Sequence, residues 1–185
     1  AAFRRRAPMG QRLCSRVAPR SKITKNERVL KQQEGDFRGA GGLKLFYQTW
    51  APAVVKGHLV ITHGQGEHSE CYQRLAESLT DAGVKIWAWD LRGHGQSQGV
   101  RGSVKNFSQY GQDFEIFLKR IVFPEAQGQK LILLGHSMGG LIQLQALLED
   151  EDVRDRPQIL SAPMLGVARP VPVWKSALSV AAFQV

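Results

Sequence analysis

Residues 130–148 read KLILLGHSMGGLIQLQALL: an apolar run, then Gly135-His136-Ser137-Met138-Gly139, then apolar residues at helical spacing. Lys130 to Leu134 reads as a buried strand and Met138 to Leu148 as a helix. A G-x-S-x-G between such elements is the pattern of a sharp strand-to-helix turn that lifts a serine hydroxyl above the sheet on strained backbone. The two glycines have a physical reason, since a Cβ at Gly135 or Gly139 would meet neighbouring strand or helix backbone. An incidental serine in a Gly-containing turn would give the same letters, because the chain has 19 glycines among 185 residues. The strand before and the helix after give the motif its weight and make Ser137 a candidate nucleophile.

Outward from this segment, short apolar runs alternate with helix-period stretches, which predicts an α/β fold with a mostly parallel sheet and crossover helices. Leu43 to Trp50, His58 to Thr62, Val84 to Trp89 and Ile159 to Ser161 read as further strands. Ser69 to Ala82 reads as a helix with Tyr72, Leu75, Ala76 and Leu79 on one face, and Gly83 stands where a helix C-terminal glycine belongs. From Ser108, the positions Tyr110, Phe114, Phe117, Leu118 and Ile121 keep helical spacing, and Pro124 is the predicted stop.

Two loops follow strands and carry chemistry-bearing residues. His63-Gly64-Gln65-Gly66-Glu67-His68 comes directly after HLVIT, and a Gly-rich loop there can present a backbone N–H to a developing oxyanion. The usual pair of donors in this arrangement is the residue after the nucleophile, here Met138, and one from the loop after the third strand, best matched by Gln65. Two histidines so close also raise a metal reading. The H-x-x-x-x-H spacing without a third ligand supports it poorly, and no metal or cofactor is expected. Asp90-Leu91-Arg92-Gly93-His94-Gly95 follows the next strand, and here the preferred reading is structural, with Asp90 and Arg92 pairing beside the site.

Charge divides the chain. Residues 1–31 hold ten basic residues against one acid, Glu27, whereas residues 32–185 hold fifteen of each, so the whole +9 sits in an amino-terminal arm. The arm could contact nucleic acid or anionic lipid, or serve as an Arg-rich organelle address, or be a solvated tail or translated sequence upstream of Met9. The neutral remainder gives no case for nucleic acid. No stretch approaches the roughly 18 apolar residues of a membrane-spanning helix. Cys14 and Cys71 form no close-spaced pair, which favours a reducing, cytoplasmic compartment.

In this order and spacing, HGQGEHSECY, WAWDLRGHGQSQG, GVRGSV, LILLGHSMGG and ILSAPMLGVARPVPVW resemble the α/β-hydrolase superfamily. Within it the chain resembles the monoacylglycerol lipase and lysophospholipase group of serine aminopeptidase-like hydrolases, from about Phe37 to Val185. The resemblance implies a serine nucleophile at Ser137, oxyanion donors at Gln65 and Met138, and a small lipid ester as substrate, with peripheral membrane contact left open. His63, Gly64, Gly66, Asp90, Arg92, Gly135 and Gly139 are expected to shape the site. The division expected is a basic arm over 1–34, a hydrolase core over 35–163 and the start of a cap over 164–185.

A triad of this order needs an acid and then a histidine after the serine. All five histidines (His58, His63, His68, His94, His136) precede Ser137, and Glu149, Asp150, Glu151, Asp152 and Asp155 read as a solvated helix end. The chain is therefore expected to be the amino-terminal portion of a longer serine ester hydrolase, inactive alone. A peptidase, a thioesterase, or a non-catalytic binding protein using its basic arm stand as alternatives.

Overall fold

The computed structural model describes residues 31–166. Residues 1–30 of the expected arm, Cys14 within them, and residues 167–185 of the expected cap lie outside the described residues. Six strands form one sheet: β1 (Lys31–Arg38), β2 (Lys44–Ala51), β3 (Gly57–Thr62), β4 (Val84–Trp89), β5 (Lys130–His136) and β6 (Gln158–Ser161). Their order is β1-β2-β4-β3-β5-β6, with β1 and β2 antiparallel to their neighbours and the β4-β3-β5-β6 block parallel. Strand β1 takes in Lys31 to Glu34, which the sequence reading assigns to the arm.

The alternation of side chains across the sheet explains why it is covered on both faces. Trp50, Leu59, Ile61, Ile86 and Ala88 pack with Ala76 of α1 (Gln73–Thr80) on one side. Val60, Trp87, Trp89, Leu131 and Leu133 point the other way. There they meet Tyr110, Phe114 and Phe117 of α2 (Ser108–Phe117), and Met138, Ile142 and Ala146 of the helix after β5. The first turn of the helix read from Ser69 is a tighter turn over Ser69–Tyr72. Gly83 adopts φ +88° and donates its N–H to Thr80 O at 2.9 Å, which ends α1 as its position suggests.

The helical run from Ser108 ends at Glu125, one residue past Pro124. The backbone widens into a π-type turn over Leu118–Val122, and α3 (Phe123–Glu125) holds Pro124 in its first turn, where no N–H is required. Helix α4 (Met138–Glu149) leaves β5, and the short α5 (Glu151–Arg154) is capped by Asp150, which accepts the Asp152 N–H at 2.9 Å. From β3 the chain crosses to β4 on one side and later to β5 on the other. The strand order reverses there, so a crevice opens between the carboxyl ends of β3 and β5.

Candidate active site

Thr62 at the end of β3 is in register with Gly135 of β5, so the residues that follow, Gly64 and Ser137, come face to face across the crevice. A Cβ on Gly64 would lie 3.1 Å from Ser137 Cβ. Ser137 sits at φ 50°, ψ −115°, between β5 and α4. A side-chain-bearing residue persists there only where its surroundings over-determine it. Those surroundings are visible: Ser137 N–H donates to Ser161 O of β6 at 3.0 Å, and Ser137 O accepts from Met164 N–H at 2.9 Å and from Gly140 N–H at 3.1 Å.

The glycines around the turn mark close backbone approach. A Cβ on Gly139 would fall 2.1 Å from Thr62 O and 2.6 Å from His63 O, and one on Gly135 would fall 2.6 Å from Gly140 Cα. Helix α4 can therefore start hard against the end of β3. Met138 opens α4, and its backbone N–H belongs to the first turn, where helices lack internal acceptors and carry partial positive charge. The second candidate donor, Gln65, lies in the turn 64–67, where Glu67 N–H donates to Gly64 O at 3.2 Å and Gly66 takes φ +77°. Its side-chain Nε2 donates to Gly102 O at 3.3 Å, tying this turn to the loop after β4. The structure thus brings Ser137, Met138 and the Gly64–Gln65 turn together, the combination a serine hydroxyl and two preorganised donors would need for acyl transfer.

Among the described residues no histidine hydrogen-bonds the Ser137 hydroxyl. His63 is fully buried: its Nε2 accepts the Leu91 N–H at 3.0 Å, so its Nδ1–H donates to Gly64 O at 2.7 Å. Both nitrogens are committed inside the fold, which leaves no lone pair for a metal. Burial is the largest cause that holds it neutral, pushed down to about 4. His94 points Nδ1 at Arg92 O, His58 accepts from Trp87 Nε1–H, and His136 faces Ser161. Burial lowers His58 and His94 as well. Among the described residues no hydrogen bond holds the Ser137 hydroxyl, and no group of three His, Cys, Asp or Glu is arranged to hold a metal ion.

The expected Asp90–Arg92 pair is not formed. Arg92 turns instead to Asp113 of α2, with Nε–Oδ2 at 2.6 Å and Nη2–Oδ1 at 2.7 Å, and its Nη2 also donates to Ala40 O. Asp90 accepts the Ser69 N–H at 2.7 Å and the Gln96 N–H at 2.8 Å, so it orders two loops rather than one ion pair. Forked Arg–carboxylate geometry wins because both oxygens of the fully buried Asp113 can be satisfied at once. Sequence reasoning missed Asp113, although its spacing from Tyr110 and Phe117 puts it on the buried face of α2. It also assigned no role to Glu67, whose side chain reaches three neighbours. A cavity of about 780 Å³ opens beside Gln65 between these loops, lined by Glu67, His68, His94, Gln96 and Arg101 among others.

The family profile described as Hydrolase_4, serine aminopeptidase S33, matches residues 53–184. The chain is 36% identical over 110 residues to the monoacylglycerol lipase of Mycolicibacterium smegmatis, covering 59% of this chain and 39% of that protein. It is also 36% identical over 111 residues to the human monoglyceride lipase, covering 60% and 36%. The chain thus spans less than two fifths of the length of these relatives. Among solved structures it resembles the monoacylglycerol lipase of Paleococcus ferrophilus, with TM-score 0.56, 28% identity and coverage of 76% and 51%. It shares the fold of the α/β hydrolase GrgF from a Penicillium species, with TM-score 0.69, 20% identity and coverage of 83% and 53%. With a strained serine at the end of a parallel strand and this match over most of its length, the chain belongs to the serine aminopeptidase S33 family of α/β hydrolases, in the group that includes the monoacylglycerol lipases.

Proposed function

We propose that Ser137 is the nucleophile of a carboxylic-ester hydrolase that works through an acyl-enzyme, with the Gln65 and Met138 N–H groups as oxyanion donors. The observation that carries this reading is Ser137 at φ 50° with Gly64 packed against it, because that strain and that approach have no use in an ordinary turn. Hydroxyl attack on the ester carbonyl forms the tetrahedral intermediate. The alcohol then leaves with a proton, and water releases the acid. None of this chain's histidines hydrogen-bonds the Ser137 hydroxyl, and this reading assigns the base to the part of the relatives' length that the match leaves uncovered. Without it, only oxyanion and binding contributions remain and turnover is negligible.

The substrate we favour is a lipid monoester, a monoacylglycerol or a lysophospholipid, met at a membrane surface. Its support is the similarity to monoacylglycerol lipases and to a Bacillus subtilis protein named phospholipase YtpA, 29% identical over 119 residues. The family description also names an aminopeptidase, so aminoacyl amides belong in the substrate panel.

A fluorophosphonate probe tests the proposal. The 185-residue chain is expected not to label, a form that includes the missing base is expected to label, and Ser137→Ala is expected to abolish that labelling. Strong labelling of the 185-residue chain at Ser137 would overturn the assignment of the base.

A further inference from the structure

We propose that Glu67 is the positioning residue of the oxyanion donor, acting as a clamp that fixes the direction of the Gln65 N–H; this rests on the ester-hydrolase reading of the site. Glu67 Oε2 accepts the Gly64 N–H at 2.9 Å and the Tyr72 hydroxyl at 2.8 Å, while the Glu67 N–H returns to Gly64 O at 3.2 Å. One residue therefore closes the turn 64–67 at both ends. Its other oxygen, Oε1, faces His136 Nε2 at 3.9 Å, and His136 is the residue directly before Ser137. The carboxylate consequently spans the turn, the following helical segment and the nucleophile's own turn.

The peptide plane makes this matter. The carbonyl of Gly64 and the N–H of Gln65 belong to one trans peptide and point in opposite directions, so holding the first sets the second. Gly64 O is held twice, by the His63 Nδ1–H at 2.7 Å and by the Glu67 N–H. Glu67 also fixes the preceding N–H of Gly64, and Gly66 at φ +77° lets the chain complete the turn without straining a side chain. The Gln65 N–H therefore points opposite to Gly64 O, on a residue adjoining Gly64, whose added Cβ would lie 3.1 Å from Ser137 Cβ. A donor swinging through tens of degrees could not stabilise an oxyanion, because such stabilisation depends on dipoles oriented before the reaction. Tyr72 keeps the carboxylate from rotating away, so the clamp is held as well as formed.

Two measurements separate this proposal from the reading it rests on. In the 185-residue chain, which needs no activity, amide hydrogen exchange at Gly64 is expected to be ~10-fold or more faster in Glu67→Ala than in wild type, and close to wild type in Glu67→Gln, whose amide oxygen can still accept both bonds. In the active form used for labelling, Glu67→Ala is expected to lower kcat ~10- to 100-fold with KM within ~2-fold, and Glu67→Gln to recover most of it. Equal Gly64 exchange in all three proteins overturns the clamp. So does a kcat of Glu67→Ala within twofold of wild type, or a Glu67→Gln as impaired as Glu67→Ala. Failure of the wild-type active form to label removes the ester-hydrolase reading instead, and the exchange measurement then decides the clamp alone.

Discussion

Replacing Gly139 by alanine tests the closest backbone approach at the elbow. Gly139 lies in α4 and Gly111 in α2, and on helix propensity alone alanine should stabilise both positions by about 0.5–1 kcal/mol. Their surroundings differ. A Cβ on Gly111 meets nothing nearer than the Gln145 side chain at 3.8 Å, whereas one on Gly139 would lie 2.1 Å from Thr62 O. Thr62 O is backbone in the central strand and cannot rotate aside, so α4 has to back away from β3 by about 1 Å, which costs about 1–3 kcal/mol, as over-packing does. After the propensity gain, Gly139→Ala should be about 1–2 kcal/mol less stable than wild type and Gly111→Ala about 0.5 kcal/mol more stable. Urea unfolding followed by tryptophan fluorescence is a suitable assay, because Trp50, Trp87 and Trp89 are all buried in the core. If Gly139→Ala unfolds at the same or a higher urea concentration than Gly111→Ala, the packing of α4 on β3 described above is wrong.

Arg92→Ala should cost about 3–5 kcal/mol in the same assay, since it leaves the Asp113 carboxylate buried with one N–H partner, from Ala40; a loss below about 1 kcal/mol would mean the pair is not formed. Acid should destabilise the fold through His63. Its folded value of about 4 lies below the ordinary 6.5, so the unfolded chain takes up the proton first, and stability that is complete above about pH 6.5 is lost as pH falls towards 4. His63→Asn should reduce the slope of stability against pH in that window by up to one proton, and an unchanged slope would exclude His63 as a source. Strand β6 exposes Ile159 and Leu160 at the sheet edge, so Ile159→Lys should reduce concentration-dependent association seen by sedimentation, and an identical sedimentation profile would rule the edge out.

The elbow was legible because its elements agree locally: an apolar run, glycine punctuation and a helix period adjoin within nineteen residues, Lys130–Leu148. Strand β1 was not, because KQQEGDFR buries only Phe37 and is held by backbone pairing to β2, which leaves little trace in side-chain pattern. The partner of Arg92 was missed for a different reason. Asp90 is two residues away and Asp113 is 21, and only the packing of α2 on the sheet brings the distant carboxylate into a forked geometry. Pro124 marks the end of the helical run to within one residue, but the π-type turn over Leu118–Val122, which gives the proline a new first turn to sit in, leaves no signal in the apolar spacing. Glu67 left a weak local signal, a carboxylate three residues after a glycine. That spacing becomes informative only once Gly64 is known to face Ser137.

The placing of β3 at the centre of the sheet also has a consequence for synthesis. Its partner on one side, β4, follows within about thirty residues, but β5 on the other side is complete only at His136, some seventy residues after Thr62. At a ribosomal rate of roughly 5–20 residues per second, the open flank of β3 waits about 4–15 seconds for its neighbour. Each nascent copy therefore passes through a period in which the apolar strand HLVIT offers a free row of N–H and C=O groups. Soluble expression should consequently improve when translation between β4 and β5 is accelerated.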